Sequence, residues 1–590
     1  MLYTEVMTEK QKLAPKLKPV ANHLKPTEKS AANEHIKWNS NYLRGDLAND
    51  VANVVTGNII EDHVQLTKFH GTYIQDDRDI RAERRGKKLD KAYSFMIRMR
   101  VAGGVVTPAQ WLKIDTLADV FANGTLKITT RQTFQVHGVI KFNLKDTFKA
   151  MDAASLDCIA ACGDVNRNVI ANTNPFLSEH HAEALKLAHE ISDGLLPHTN
   201  AYREIWLDGE KVEFAEDEEQ EPLYGRVYLP RKFKIAVAVP PYNDVDVYAH
   251  CLGFIAIIEN EKIVGYNVTV GGGMGMTHGD KTTFPRTADV MAFCTPEQAL
   301  KVAEGVMITQ RDHGNREVRK HARFKYTVER LGAAKIRELV EEYCGFKLQD
   351  ARPFEFVNNL DKFGWFEGTD GKNHCGLYIV NGRLRGQQKK GVAEIAKLMD
   401  NAGEGDLRMT CNQNLVISGV SGASKAKIIA LLKEFDLDGF ESASTLLRNS
   451  LACVSLPTCG LALAESERYF PTLIARLIEK SGVDAEEITM RMTGCPNGCA
   501  RPYLAEIGFV GTGPGKYNLY LGAAHNGERL SKLYRESVDE TQAVEILSPM
   551  LQSYAKERNG NERFGDFVIR KGIIAATTGG NNFHENLKLA

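Results

Sequence analysis

Residues 126–139, LKITTRQTFQVHGV, return as residues 407–420, LRMTCNQNLVISGV, with five of fourteen positions identical: Leu126/Leu407, Thr129/Thr410, Gln132/Gln413, Gly138/Gly419 and Val139/Val420. The spacing is 281 residues, and at the same spacing Arg167-Asn168 falls on Arg448-Asn449 and Ala171 on Ala452. Two matches at one offset argue for duplication. Farther on, GYNVTVGGG (265–273) resembles KYNLYLGAA (516–524) at a spacing of 251, so the order persists while the second copy has shed some loop. A period this long is not that of a solenoid. It predicts two related halves around a pseudo-two-fold axis, with a functional site between them, because clefts between domains favour binding.

A chain of 590 residues exceeds one hydrophobic core, so two to four domains are expected. Apolar runs such as KIAVAVPP alternate with helix-like runs such as ALKLAHEISDGLL, which sets the class as α+β. With a formal net charge of -1 there is no global field to attract nucleic acid or an acidic membrane. No apolar run approaches the roughly 18 residues that would span a bilayer. The N-terminus lacks the apolar core of a secretory signal, so the cytoplasm is the expected location. Residues 1 to about 36 scatter Lys and Pro through polar sequence and read as a flexible arm, with folded sequence from SNYLRG (40–45) onward.

The halves differ in their thiols. CVSLPTC (453–459) and GCPNGC (494–499) place Cys453, Cys459, Cys495 and Cys499 in the second half only. Cys453 falls where the first half has Asn172, and the other pair has no cysteine counterpart near Pro240-Pro241. Eleven cysteines in a long chain, mostly single, argue against a secreted disulfide framework and leave thiols for metal. By ligand type four thiolates suit zinc or an iron–sulfur cluster equally, although zinc more often takes C-x2-C pairs. Small buried core cysteines are the plain alternative. Against it, Pro457, Pro496 and Gly498 break regular structure among the thiols and let backbone N–H groups face sulfur, which favours a redox cluster.

The cations cluster in the other half. In KFKIAVAVPP, Phe233, Ile235 and Val237 share one strand face while Lys232, Lys234, Ala236 and Ala238 share the other. MIRMRVAGG repeats the plan, with Arg98, Arg100 and Ala102 opposite Ile97, Met99 and Val101. Small neighbours leave room for a ligand, though a solvated strand face reads the same way. Arg131 and Arg167, both beside duplicated strands, add to a set that suits a small oxyanion or a polycarboxylate. GNREVRKHARFKY carries Arg316, Arg319, Lys320, Arg323 and Lys325; at helical spacing Arg316, Lys320 and Arg323 share a face, either solvated or set against an anionic cofactor. GGGMGM (271–276) and GTGPGKY (511–517) miss the dinucleotide and P-loop spacings, so electrons from a nicotinamide must arrive through a partner.

CVSLPTC with TGCPNGC, together with RQTFQVHG, DVNRNV, YLPRKFK and FHGTYIQDDRDIRAER, resembles the siroheme nitrite and sulfite reductase family, and within it the NADPH-fed assimilatory sulfite reductases, from about residue 40 to about residue 575. The resemblance implies a pseudo-two-fold fold with ferredoxin-like half-domains at 40–163 and 346–425 and siroheme domains at 164–345 and 426–590, after an arm at 1–39. It implies siroheme and a 4Fe-4S cluster, with Cys453, Cys459, Cys495 and Cys499 as ligands and Cys499 bridging to the siroheme iron. Arg98, Arg167, Lys232 and Lys234 match the family's anion-binding positions. Arg131 matches a position near the siroheme carboxylates, Asn497 lies in the CPNGC motif that shapes the cluster's hydrogen bonds, and the 316–325 cations would serve the carboxylates. The implied reaction is the six-electron reduction of sulfite to sulfide, fed by a flavoprotein alpha subunit carrying FAD and FMN and using NADPH. Siroheme nitrite reductase and ferredoxin-fed sulfite reductase are the neighbouring alternatives, and a zinc-stabilised binding module the distant one. Gly460 stands where relatives carry a proline.

Overall fold

The structure is a computed structural model that describes residues 24–174, 176–198, 206–207, 210–211, 221–577 and 579–585. Its two antiparallel sheets of ferredoxin-like type each close with a strand from the other half. One orders Thr72–Asp76, Tyr93–Arg98, Phe134–Val139, Leu126–Ile128 and, at its edge, Arg383–Leu384. The other orders Gly364–Glu367, Asn373–Leu377, Leu415–Val420, Asp406–Met409 and, at its edge, Val105–Val106. The exchanged strands pair Leu384 with Leu126 and Val106 with Leu407. Each thereby covers an edge that would otherwise be open to other chains.

Glycine makes the exchange possible. Gly104 (φ +77°) and Gly382 (φ +68°) precede the exchanged strands, and a Cβ on either would meet a carbonyl of the partner sheet, Met409 O at 2.6 Å or Ile128 O at 2.5 Å. Both sheets bury their inner faces in one common core that runs from Phe95, Ile97 and Trp111 to Leu377, Ile395 and Leu407. Each such buried side chain stabilises by about 1.5–3 kcal/mol, so the two half-sheets are one folding unit.

The remaining two sheets have cores of their own and repeat each other strand for strand. In the first half the order is Ile170–Ala171, Ile235–Ala238, Leu252–Glu259, Lys262–Val270 and Asp289–Cys294; in the second it is Ser450–Ala452, Met490–Thr493, Ile507–Gly513, Lys516–Leu521 and Lys532–Val538. The first three strands of each are parallel and the last two join antiparallel. The duplicated α+β architecture expected from sequence is therefore the architecture found.

Between the second and third strands each copy has a loop of thirteen residues, 239–251 and 494–506, which brings Asp246 onto Arg501 and Asp244 onto Cys499. Asp246 and Arg501 both take left-handed backbone and both lead into a short 3-10 turn, Val247–Ala249 and Pro502–Leu504. They also bind each other, Arg501 Nε donating to Asp246 Oδ2 at 2.5 Å. Equivalent residues of two related halves meet only on the axis that relates them, so this ion pair marks the pseudo-two-fold.

Residues 1–23 of the expected arm lie outside the described residues. The rest of it is partly folded: the helix Ala32–Asn39 buries Glu34 and Lys37, which pair at 2.6 Å, and Lys37 also donates to Leu229 O. A charged pair buried against the body holds this segment where composition alone suggested a loose tail. Among the described residues no helix is long and apolar enough to cross a membrane.

Candidate functional site

Cys453 directly follows Ser450–Ala452, and Cys495 follows Met490–Thr493 by two residues. These strands are parallel neighbours, so both cysteines open into the crevice at the carboxyl ends of the strands, a preferred ligand position in parallel sheets. The intervening loop folds back on itself, with Cys459 N donating to Ser455 O at 2.9 Å and Cys453 N to Met492 O at 3.2 Å. Donors point at the sulfurs: Gly494 N lies 3.4 Å from Cys453 Sγ and Asn497 Nδ2 lies 3.6 Å from Cys495 Sγ. The Leu461 and Ala462 amides lower the Cys459 pKa, although burial and Cys499 raise it on balance.

The same balance applies to the whole set. Burial first, then the Cys499 charge, raises the Cys453 pKa and pushes Cys495 up to about 12. Four thiolates in this place would repel one another, and with N–H groups already aimed at two of the sulfurs they fit a cationic iron–sulfur group that would offset their charge. As placed, no three His, Cys, Asp or Glu side chains among the described residues close on a single metal ion.

Gly494 is the tightest point of the loop. A Cβ there would lie 1.9 Å from Ser455 Oγ and 2.5 Å from Ala464 O. Gly494→Ala is expected to overpack the loop by about 1–3 kcal/mol and lower iron and labile sulfide per chain. Adding Ser455→Gly should restore part of both, as metal analysis of the single and double variants would show.

The cations come from the first half. Arg98 ends the strand Tyr93–Arg98 and donates to Cys162 Sγ at 3.0 Å, while Arg167, only 6% exposed, is oriented by Gly163 O at 2.9 Å and Ala161 O at 3.2 Å. Lys232 and Lys234 precede the strand Ile235–Ala238. As the alternation predicts, Phe233, Ile235 and Val237 enter one core and Ala236 and Ala238 another. Among the described residues neither ammonium group has a hydrogen-bond or ion-pair partner. Burial, then Arg231, Arg323 and Arg167, push the Lys232 pKa far below the usual lysine range; for Lys234 burial acts with Arg131, Lys232 and Arg323. A thiolate at Cys499 pulls both back up and helps raise Arg98, against the desolvation of that guanidinium. Contact across the halves is direct, with Thr130 Oγ1 donating to Cys499 O at 3.1 Å. Cys499 is the exposed thiol of the four.

The other predicted residues divide. Arg131 is spent largely on the protein, donating to Asn168 O and, at 3.1 Å, to Ile235 O. The 316–325 stretch is not the helix that its spacing suggests: Asn315 Oδ1 accepts from the amides of Glu317 and Val318, a 3-10 turn spans Arg319–His321, and the helix begins at Phe324. Arg316 is taken by Glu34 and by Tyr228 O, Arg319 by both oxygens of Asp164, and Lys320 by Asp280 at the surface. Lys325 is wholly buried on the carbonyls of Gly273, Gly275 and Phe284. Of the five, Arg323 is the one whose charge bears on both lysines, and its Nε is unpartnered at 8% exposure.

Sequence reasoning missed Arg78. It reaches 381 residues along the chain to donate to Cys459 O at 3.2 Å and also to Ala462 O at 2.6 Å, while its amide donates to Pro457 O. No local pattern announces such a contact. The family model for the nitrite/sulfite reductase ferredoxin-like half domain matches residues 87–154 and 366–435, and that for the nitrite and sulphite reductase 4Fe-4S domain matches 189–348, the copy without the two cysteine motifs. The sulfite reductase (NADPH) hemoprotein beta-component of Methylobacterium nodulans is 59% identical over 94% of this chain and 93% of its own length; that of Anoxybacillus flavithermus is 56% identical over 94% and 97%. The solved structure of Mycobacterium tuberculosis NirA superposes with a TM-score of 0.75 at 26% identity, covering 92% of this chain and 96% of that one.

Proposed function

The chain belongs to the family of sulfite reductase hemoprotein beta-components, and from that premise we propose that it reduces sulfite to sulfide in assimilatory sulfur metabolism, with electrons from an NADPH-dependent flavoprotein carrying FAD and FMN. The observation that supports this most is the meeting of four second-half thiols with two unpartnered first-half lysines at Cys499. Cys453, Cys459, Cys495 and Cys499 would hold a 4Fe-4S cluster, with the siroheme taken up on the side of the first-half cations. When bound, these groups would pass the donor's electrons, six in all, to one sulfur atom.

The chain's own residues do the rest. Sulfite loses three oxygens as water, so each needs protons and a place for negative charge to collect. Arg98 and Arg167, held by Cys162 Sγ and backbone carbonyls, are fixed clamps for the anion. Lys232 and Lys234, with depressed pKa values, give up protons more readily than ordinary lysines and fit the proton-delivering role. Arg323 fits a siroheme carboxylate; Arg316, Arg319, Lys320 and Lys325 are engaged elsewhere and serve as scaffold. We propose the domain limits read from the sequence, with the second ferredoxin-like half-domain carried past 425 to the end of the helix Gly422–Glu434.

The test is a visible spectrum of the chain purified from cells that make siroheme, with iron, labile sulfide and zinc analysis and turnover of sulfite and nitrite under reduced methyl viologen. Siroheme bands, about five irons per chain, as one siroheme and one four-iron cluster require, and preference for sulfite are expected. Zinc without colour, or strong preference for nitrite, would overturn the reading.

A further inference from the structure

Electrons have to enter near the cysteine loop, and the surface beside that loop is strongly basic. Residues 81–91, RAERRGKKLDK, carry six cations against two carboxylates in a chain whose net charge is -1. Arg81 pairs with Asp76 and Lys87 with Glu83. Arg85 and Lys88 are exposed and, among the described residues, have no counter-ion. The segment follows directly on Arg78 and Asp79, which anchor it to the loop: Arg78 on the carbonyls of Cys459 and Ala462, Asp79 on Arg468 at 2.6 Å. At the same place the loop turns an apolar side chain outward, Leu461 at 68% exposure, with open space where a Cβ on the neighbouring Gly460 would lie. Ile80 and Leu89, 37% and 53% exposed, add apolar surface among the charges.

We propose that residues 81–91 and the Gly460-Leu461 tip form the docking surface for an acidic-faced FMN domain, the immediate electron donor. The inference rests on the reductase reading and adds the place and chemistry of the contact. Unpaired cations around a few exposed apolar side chains suit a brief encounter, in which long-range attraction raises the on-rate and a small apolar contact sets the distance. Electron-transfer complexes bury little area, under about 1,200 Å², and so need no large groove. The charge lies beside the loop that carries Cys459, to which Arg78 ties it through the Cys459 and Ala462 carbonyls.

The experiment measures binding of a flavodoxin-type FMN domain to holoenzyme by surface interferometry, for wild type, Arg85→Glu/Lys88→Glu, Leu461→Ser, and a control, Lys427→Glu/Lys433→Glu, which makes the same change of net charge on another helix. Charge reversal should weaken binding about tenfold and flatten its salt dependence, Leu461→Ser should weaken it without changing the salt slope, and the control should match wild type. Unchanged binding after reversal, or equal loss in the control, would overturn the proposal, as would loss of duplex DNA binding in the reversed variant with the FMN domain unaffected. Viologen-driven sulfite reduction is assayed on the same samples. Its absence from wild type would overturn the functional reading, whereas a donor-specific defect with viologen activity intact supports the docking surface.

Discussion

Lys232→Met or Lys234→Met is expected to lower sulfite turnover under saturating artificial reductant by about 10²- to 10³-fold, with iron, labile sulfide and siroheme content unchanged. Both lysines project from the run that leads into Ile235–Ala238, and neither ammonium group has a partner among the described residues. A cation without a counter-ion in a half-buried pocket costs free energy, so its retention points to an anion that arrives later. The stability of the cofactor-free chain separates this from a scaffold role. With a folded pKa pushed below the unfolded lysine value by burial and neighbouring cations, the unfolded chain binds more protons between the two values, and the lysine's destabilising effect fades as pH rises through that window. Methionine should therefore leave the cofactor-free chain as stable as wild type or more so at neutral pH, with the gap closing toward alkaline pH. Sulfite affinity in wild type should run the other way, falling as pH rises through the depressed pKa, because the anion needs the protonated lysine. A variant that loses stability together with activity would assign these lysines to the scaffold.

How far the sequence reaches depends on the range of the interaction. The four cysteines and the lysine face were legible because spacing and alternation are local signals, and the duplication because two stretches kept a common offset. The strand exchange was not, since Val105–Val106 and Arg383–Leu384 are two-residue strands whose partners lie in the other half. Arg78 was invisible for the same reason. The cations at 316–325 misled because helical spacing was read through Gly314 and Asn315, which turn the chain, and because Glu34 and Asp164, the carboxylates that occupy Arg316 and Arg319, are far away in sequence. Alignment of the two loops explains why a duplicated fold carries one site: Asn172 and Asp244 stand where the second half has Cys453 and Cys499, and they hydrogen bond to each other at 2.8 Å. Opposite them Asn412 and Thr489 take the places of Arg131 and Lys234, so the second crevice lacks both of those thiols and two of the cations, although Arg448 keeps the place of Arg167.

Asp246→Asn is expected to destabilise the chain by about 3–5 kcal/mol, read from the denaturant midpoint, with weaker binding of metal and sulfite as a secondary effect. Asp246 is fully buried and its Oδ2 accepts from Arg491 Nη1 and Arg501 Nε, each at 2.5 Å, so one carboxylate balances two buried guanidinium groups. Asparagine keeps the shape and removes the charge, and the arginines would retain only carbonyl acceptors such as Thr130 O at 3.1 Å and Cys411 O at 3.0 Å. Burial raises the Asp246 pKa, but the two arginines outweigh it and hold the group below the usual carboxylate range. The stabilisation it gives is thus complete above the unfolded aspartate pKa and is lost as pH falls through the lower folded value, so wild type and Asp246→Asn should converge in acid. Asp246→Leu/Arg491→Met/Arg501→Met should recover most of the stability, since apolar replacement of an entire buried ionic set is often neutral or favourable. It should not recover activity. Arg501 also holds Thr130, whose hydroxyl grips Cys499 O, so the axis that joins the halves also sets the distance between the cationic wall and the thiol it faces. Stability regained together with full sulfite turnover would mean that the axis pair serves folding alone.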